Sequence, residues 1–404
     1  MGQYSSEHNA ERRYERLGES LGEESLIDAL GEPREHREIE EHYVKSTVDW
    51  YELPDTVILY VDRDELVEVV KEARDIVGIT ELGKENVMSG PDQREILYEG
   101  RDTITVGKLK ALLDIVGIPY DEMDSLIYCI GRQGDPYAIN NPHLPFDFNS
   151  EAGAIVLAAA LKDGTLHKEE EPRGYWFAYY NKNEKNRERV KEAVRKVFGE
   201  VEPHESKERN EISYHSLAIA SALEKMGIPV GEKVGQNYHV PEVVRQGDEN
   251  IKRAYLYQTM MDEGSWSPEK HHLSYPQARA LDISELSDRD KEYLDGILQE
   301  KEEYPTGYTR RQVYLSGDME KKIRGEHPEL WEAIKRSEPP FLEEEMDMLK
   351  EVCNVRPNPK PKDIYTTIDG EYRVNWRVDV TGREDYNRVV KGLGLPRDKH
   401  RLER

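Results

Sequence analysis

The 404-residue chain is poor in cysteine and has no long apolar run. Its two cysteines, Cys129 and Cys353, lie far apart, each in an apolar stretch. They support neither a disulfide framework nor a zinc knuckle, and they predict a reducing, cytoplasmic setting. Nowhere do about 18 apolar residues follow one another, which excludes a membrane-spanning helix. The opening Met1-Gly2-Gln3-Tyr4-Ser5-Ser6-Glu7 turns acidic at once and lacks an apolar core, so no secretory signal is expected. Basic charge is scarce as well. There are 57 Lys and Arg against 82 Asp and Glu, a formal net charge of -25. A uniformly basic nucleic-acid surface is therefore excluded. The acidity is uneven, however: residues 1–150 hold 15 basic and 33 acidic side chains, whereas residues 351–404 hold 12 and 9. A local basic face toward the C-terminal end is compatible with this balance.

The length suits two or three domains. Residues 1–45 read as a charged arm, with Glu and Arg alternating through Glu35-His36-Arg37-Glu38 and few apolar anchors. Residues 46–150 read as a mostly helical module. Leu66, Val69, Val70, Ala73 and Val77 recur at helical spacing and Gly78 stops the run. A second helix is expected over Thr105–Val116, ended by Gly117-Ile118-Pro119, and a third over Asp121–Ile127. Short helices joined by glycine turns fit a helix-turn-helix module and fit a plain helical bundle equally. Gly78-Ile79-Thr80-Glu81-Leu82-Gly83-Lys84 has the spacing of a phosphate-binding loop. Glu85 stands where that loop needs Ser or Thr, and no strand precedes it, so that function is rejected. Asn140-Asn141-Pro142-His143-Leu144-Pro145-Phe146 is rich in turn formers and is expected to mark a domain boundary.

The chemistry concentrates after residue 151. Ala152 to Leu161 is apolar nearly all round and rich in small residues, as a helix buried against another backbone would be. It ends in Asp163-Gly164, which puts a carboxylate at the negative end of a helix dipole. A divalent cation would relieve that. About a hundred residues later, Ile251 to Met261 is another helix pattern, ending Asp262-Glu263-Gly264. Packed side by side, the two helices would bring Asp163 and Glu263 together as hard oxygen ligands for a magnesium-type ion. The downstream order also repeats. An aromatic strand (Tyr175–Tyr180), a helix (Asn186–Phe198), a strand (Ile212–Tyr214) and a closing helix lead to Gly227-Ile228-Pro229. The second copy offers a helix (Phe341–Val352), strands around Ile364–Thr367 and Tyr372–Val380, and a closing helix before Gly394-Leu395-Pro396. Pro396 follows Glu263 at about twice the distance at which Pro229 follows Asp163, so an insertion is expected around 281–340. Along Tyr372–Val380, Arg373, Asn375 and Arg377 alternate with Val374, Trp376 and Val378. One face is thus apolar and the other carries groups that read guanine and adenine edges.

Val156-Leu157-Ala158 with Asp163-Gly164, and the lead-in Ile251-Lys252-Arg253-Ala254-Tyr255-Leu256, make the chain resemble LAGLIDADG homing endonucleases of the dodecapeptide type. Gly227-Ile228-Pro229-Val230-Gly231-Glu232-Lys233 and Trp376-Arg377-Val378-Asp379-Val380-Thr381-Gly382 are similar to further family segments. The resemblance spans residues 151–404. It implies an α+β fold of two pseudo-symmetric αββαββα halves, 151–245 and 246–404, forming a saddle over double-stranded DNA in a monomer. It also implies that Asp163 and Glu263 bind Mg²⁺ and direct strand cleavage. Lys233, in a family-like segment, is the candidate for a catalytic lysine, and Arg373, Asn375 and Arg377 are the DNA-binding candidates. Gln258 stands where the family has a small residue, and Glu263 where Asp is commonest. The expected activity is site-specific, metal-assisted cleavage of double-stranded DNA. The alternatives are a DNA-binding regulator without cleavage and an RNA maturase on the same fold. His215, His239, His271 and His272 have no zinc-site spacing, and Met260-Met261 reads as packing. No cysteine-led splice junction is expected.

Overall fold

The computed structural model describes residues 44–84, 87–131, 137–169, 174–303 and 309–396, so the charged arm expected at 1–45 lies almost wholly outside the described residues. The first elements are β1 (Thr47–Val48), β2 (Ile58–Val61), α1 (Arg63–Val77), α2 (Ile79–Lys84), α3 (Gly90–Tyr98), β3 (Thr103–Thr105), α4 (Val106–Val116), β4 (Ile127–Ile130), β5 (Ile139–Asn140) and β6 (Phe146–Asp147). Helices α1 and α4 form where the apolar spacing places them. Asp62 caps α1 by accepting from the backbone N–H groups of Asp64 and Glu65, and Leu66, Val69, Val70 and Ala73 face inward. Gly117 ends α4 in the left-handed conformation.

The region is not mostly helical, though. Strands β3-β2-β4-β5 make a four-stranded antiparallel sheet, and its buried Leu59, Val61 and Ile104 share one apolar core with Leu66 and Val70 of α1 and Leu109 and Leu112 of α4. The helix expected at Asp121–Ile127 is a short 3₁₀ turn (Tyr120–Met123) followed by β4. Ile127, Cys129 and Ile130 are buried while Tyr128 is exposed, a strand pattern that a four-residue stretch cannot satisfy as a helix. The turn-rich segment Asn140–Phe146 does not separate domains. Asn140 bridges to Glu200, and the rings of Phe146 and Phe148 pack on Phe198. The described residues from Val44 to Pro396 belong to one compact unit.

Next come α5 (Glu151–Leu161), β7 (Gly164–Lys168), β8 (Tyr175–Tyr180), α6 (Glu184–Phe198), β9 (His204–Ser206), β10 (Glu211–Tyr214) and α7 (Leu217–Lys225), an α-β-β-α-β-β-α run. After the short α8 (Glu242–Arg245) follow α9 (Glu249–Glu263), β11 (Ser265–Ser267), β12 (His272–Ala280), α10 (Asp288–Ile297), β13 (Gln299–Glu303), β14 (Thr309–Tyr314), α11 (Gly317–Glu326), α12 (Pro328–Arg336), α13 (Pro340–Cys353), β15 (Lys360–Thr366), β16 (Tyr372–Thr381) and α14 (Arg383–Leu393). With α10 to α12 set aside, the second run has the same order as the first. The strand orders agree too: β7-β8-β10-β9 against β11-β12-β16-β15. The stretch expected as an insertion at 281–340 therefore contributes three helices and a hairpin, β13–β14. That hairpin pairs with β15 and extends the second sheet to six strands.

Both central helices start on a side-chain cap: Ser150 accepts from Gly153 N–H, and Asp248 from Asn250 and Ile251 N–H. They pack against each other, and the small residues of α5 set the closeness of that contact. Ala154 and Ala158 are fully or nearly fully buried, as are Ala254 and Gln258 on α9. Gly153 permits a second close approach, since a Cβ there would lie 2.3 Å from the carbonyl oxygen of Phe148.

Candidate functional site

Each central helix delivers its acid immediately before a glycine. Neither glycine has positive φ, so neither is a left-handed helix cap. What they provide is closeness: a Cβ on Gly164 would meet the carbonyl oxygen of Ala159 at 2.6 Å, and one on Gly264 that of Met260 at 2.4 Å. The chain thus turns sharply into the first strand of each sheet with its acid at the corner.

Asp163 and Asp262 are joined by one amide. Asn181 Nδ2 donates to Asp163 Oδ2 at 2.9 Å and to Asp262 Oδ1 at 3.1 Å. Asp262 Oδ1 also accepts from Tyr179 OH at 2.6 Å and from Gln258 Nε2 at 2.9 Å, while its Oδ2 is buried without a partner. Burial first, and then the Asp163 charge, push the Asp262 carboxyl well above the ordinary range. Glu263 is pushed up in the same way, by burial and then by Asp163. The acids open into two pockets. One, of about 370 Å³, includes Asp163, Asp262, Asn181 and Arg209 in its lining. The other, of about 390 Å³, includes Glu263, Lys233, Lys162, Gln277 and Asn375.

Lys233 is not a solvent-facing loop residue. Its Nζ donates to the carbonyl oxygens of Ala160 and Leu161 at 2.8 Å and of Lys162 at 3.2 Å, matching the three hydrogens of an ammonium to the open end of α5. A cation here offsets the negative helix end that makes Asp163 unfavourable. Burial and the nearby Lys162 charge nevertheless bring Lys233 down to about 7.

Aligned on the two glycines, Lys162 holds the place in α5 that Asp262 holds in α9. Its ammonium pairs with Glu345 Oε1 of α13 at 2.6 Å, and both side chains are almost completely buried. Tyr255 and Tyr275 donate to the two Glu345 oxygens at 3.0 and 3.1 Å, which completes the carboxylate's hydrogen bonding. The two acid sites therefore differ chemically: one flank is a carboxylate held by amides and a phenol, the other a sealed ion pair.

Sequence reasoning missed Tyr179, Asn181, Tyr275, Gln277 and the Lys162–Glu345 pair. A signal for four of them was present. Gly164 pairs with Tyr179 across the first hairpin, and the register Ser265–Ser274 puts Tyr275 opposite Gly264. Each tyrosine is followed two residues later by an amide, in Tyr179-Tyr180-Asn181 and Tyr275-Pro276-Gln277. Gln277 Nε2 is buried without a partner beside the Glu263 pocket. Of the residues expected on the β16 face, Asn375 lines that pocket. Arg373 is tied to Glu232 at 2.7 Å and Glu371 at 3.1 Å, and Arg377 to Asp379 at 2.7 Å.

Among the described residues no group of three or more His, Cys, Asp or Glu is arranged to hold a metal ion, and no helix is long and apolar enough to cross a membrane. No known family model matches the chain, and no curated protein does.

Proposed function

We propose that the chain is a site-specific, metal-assisted endonuclease acting on double-stranded DNA, working as a monomer with its two antiparallel sheets as a saddle over the duplex. One observation carries this reading. Two packed helices, each followed by strands in the same order, end in acids, where the Asp163 charge raises the proton affinity of buried Asp262 and Glu263, and the acids open into adjacent pockets.

Hard oxygen donors of the kind a magnesium-type ion takes stand at both helix ends, Asp163 with the unpartnered Oδ2 of Asp262 at one pocket and Glu263 at the other, and a cation would relieve their crowded charge. Two carboxylates suffice where the phosphates of a nucleic acid supply further oxygens, as is usual for Mg²⁺. When bound, such an ion supplies charge neutralisation at the scissile phosphate and a low-pKa water. The chain's own residues do the rest. Asn181 fixes the orientation of Asp163 relative to Asp262. Lys233, in the Glu263 pocket with its Nζ on the carbonyls at the end of α5, puts a cation beside the acids and positions the end of that helix. Asn375 lies in the same pocket, and Arg377 stands next to it on one strand face as a candidate for base-edge contact.

The test is cleavage of a randomised duplex library, read by sequencing the ends, with magnesium and with EDTA. Magnesium-dependent cuts at a recurrent sequence are expected. Binding to a recurrent duplex sequence with no cuts in any divalent cation would establish a regulator instead.

A further inference from the structure

The outer face of the first sheet carries a row of rings that neither acid pocket uses. His167 on β7 pairs with Trp176 on β8, and the pairing of Tyr214 with Phe177 sets His215 opposite Trp176 on the other side. The three rings stand upright across adjacent strands. His167 and Trp176 are stacked at 4.7 Å and 17°, and Trp176 and His215 at 5.6 Å and 20°. Because the rings cover each other's faces, what they present to solvent is their edges, C–H rims with ring nitrogens of His167 and Trp176 between them, while His215 Nε2 lies 3.3 Å from Ser213 Oγ. Tyr175, Phe177 and Tyr179 point the other way, into the core, so the row is not part of the packing.

Its position ties it to the site. One rung nearer the acids, Thr165 pairs with Ala178, and Thr165 lines the pocket of Glu263 and Lys233. Two residues of strand are about 6.8 Å, close to two base-pair steps of duplex. The equivalent rung of the second sheet is Ser267, His272 and Thr381, in which His272 is bound to Asp379 at 2.9 Å. The second sheet has no ring row there.

We propose that His167, Trp176 and His215 read thymine in the half of the target facing the first sheet. A thymine in the major groove shows a C5-methyl beside the O4 acceptor, which suits an apolar ring edge next to an N–H donor. The guanidiniums of the second sheet suit guanine instead. This assignment rests on the duplex-DNA reading above and specifies the sequence chemistry of one half-site.

The experiment is selection of bound sites from a randomised double-stranded oligonucleotide library in EDTA, so that cutting does not enter. The parent is expected to enrich thymine in one block of the site. W176A should lose about tenfold of that preference. H215Q, a milder change, should weaken the same block, and circular dichroism checks that both variants fold. A parent without the thymine block, or W176A and H215Q variants that keep it, would overturn the assignment while leaving the DNA-binding reading standing. No enrichment of any sequence would overturn that reading and the assignment with it.

Discussion

Tyr179 of the first repeat donates its hydroxyl to Asp262 of the second at 2.6 Å, so one hydrogen bond joins the sheet of one repeat to the central helix of the other. With Gln258 and Asn181, it gives Asp262 Oδ1 three donors while Oδ2 has none. Gln258, the bulky residue in a small-residue seam, is thus a working part of the contact between the repeats.

Replacing Asp262 with Asn keeps an oxygen for those donors and removes a buried charge. The Asp262 carboxyl is raised in the folded chain, so its ionisation is penalised, and the penalty grows as pH rises above the ordinary carboxylate range near 4. D262N should therefore lose less stability than the parent between about pH 4 and pH 8, and be more stable by roughly 1 kcal/mol or more at the upper end. Urea denaturation across that range measures it; parallel curves for the two proteins would show that Asp262 carries no buried charge.

Asp163→Asn should leave folding and DNA binding nearly unchanged while slowing magnesium-dependent nicking about 100-fold or more, the equivalent of about 3 kcal/mol of lost ion contact. Plasmid nicking by the purified variant reads this directly. An undiminished rate would place the chemistry elsewhere.

Lys233 titrates near 7 in the folded chain and near 10.4 when unfolded. Between these values the unfolded chain binds the extra proton, so this residue makes stability rise with pH. From about pH 7.5 to 9.5 the parent should gain stability more steeply than K233M. Because Met also leaves the end of α5 without its donor, K233M should lose nicking activity as well.

The Lys162–Glu345 pair is buried with its hydrogen bonds completed by two tyrosines. K162M strands the carboxylate and should cost about 3–5 kcal/mol. The double variant K162M/E345M removes both charges and should recover more than half of that loss. A double variant no more stable than K162M would mean that the pair contributes specific geometry rather than mutual compensation.

The elements readable from the sequence were those with a local cause. Periodic Leu66, Val69, Val70 and Ala73 give α1, and the nearly all-apolar Ala152–Leu161 gives a buried helix. The aromatic run Tyr175–Tyr180 gives β8, and the recurrence of acid and glycine marks the two central helices. Strands β9, β11 and β13 are short or polar edge strands, each paired only with the strand that follows it, so no apolar periodicity announces them. The same holds for β4, where burial against β2 decides strand over helix for four residues. The site divides in the same way. Composition and spacing singled out Asp163 and Glu263 because they stand at helix ends before a glycine, and Lys233 was singled out only through the family-like segment that holds it. Only tertiary packing placed Lys233 Nζ on the carbonyls of α5, shared Asn181 between Asp163 and Asp262, and set Glu345 against Lys162. Those contacts join residues up to 183 positions apart. Their strength comes from the exclusion of water, a property of the folded interior that no local stretch of sequence carries.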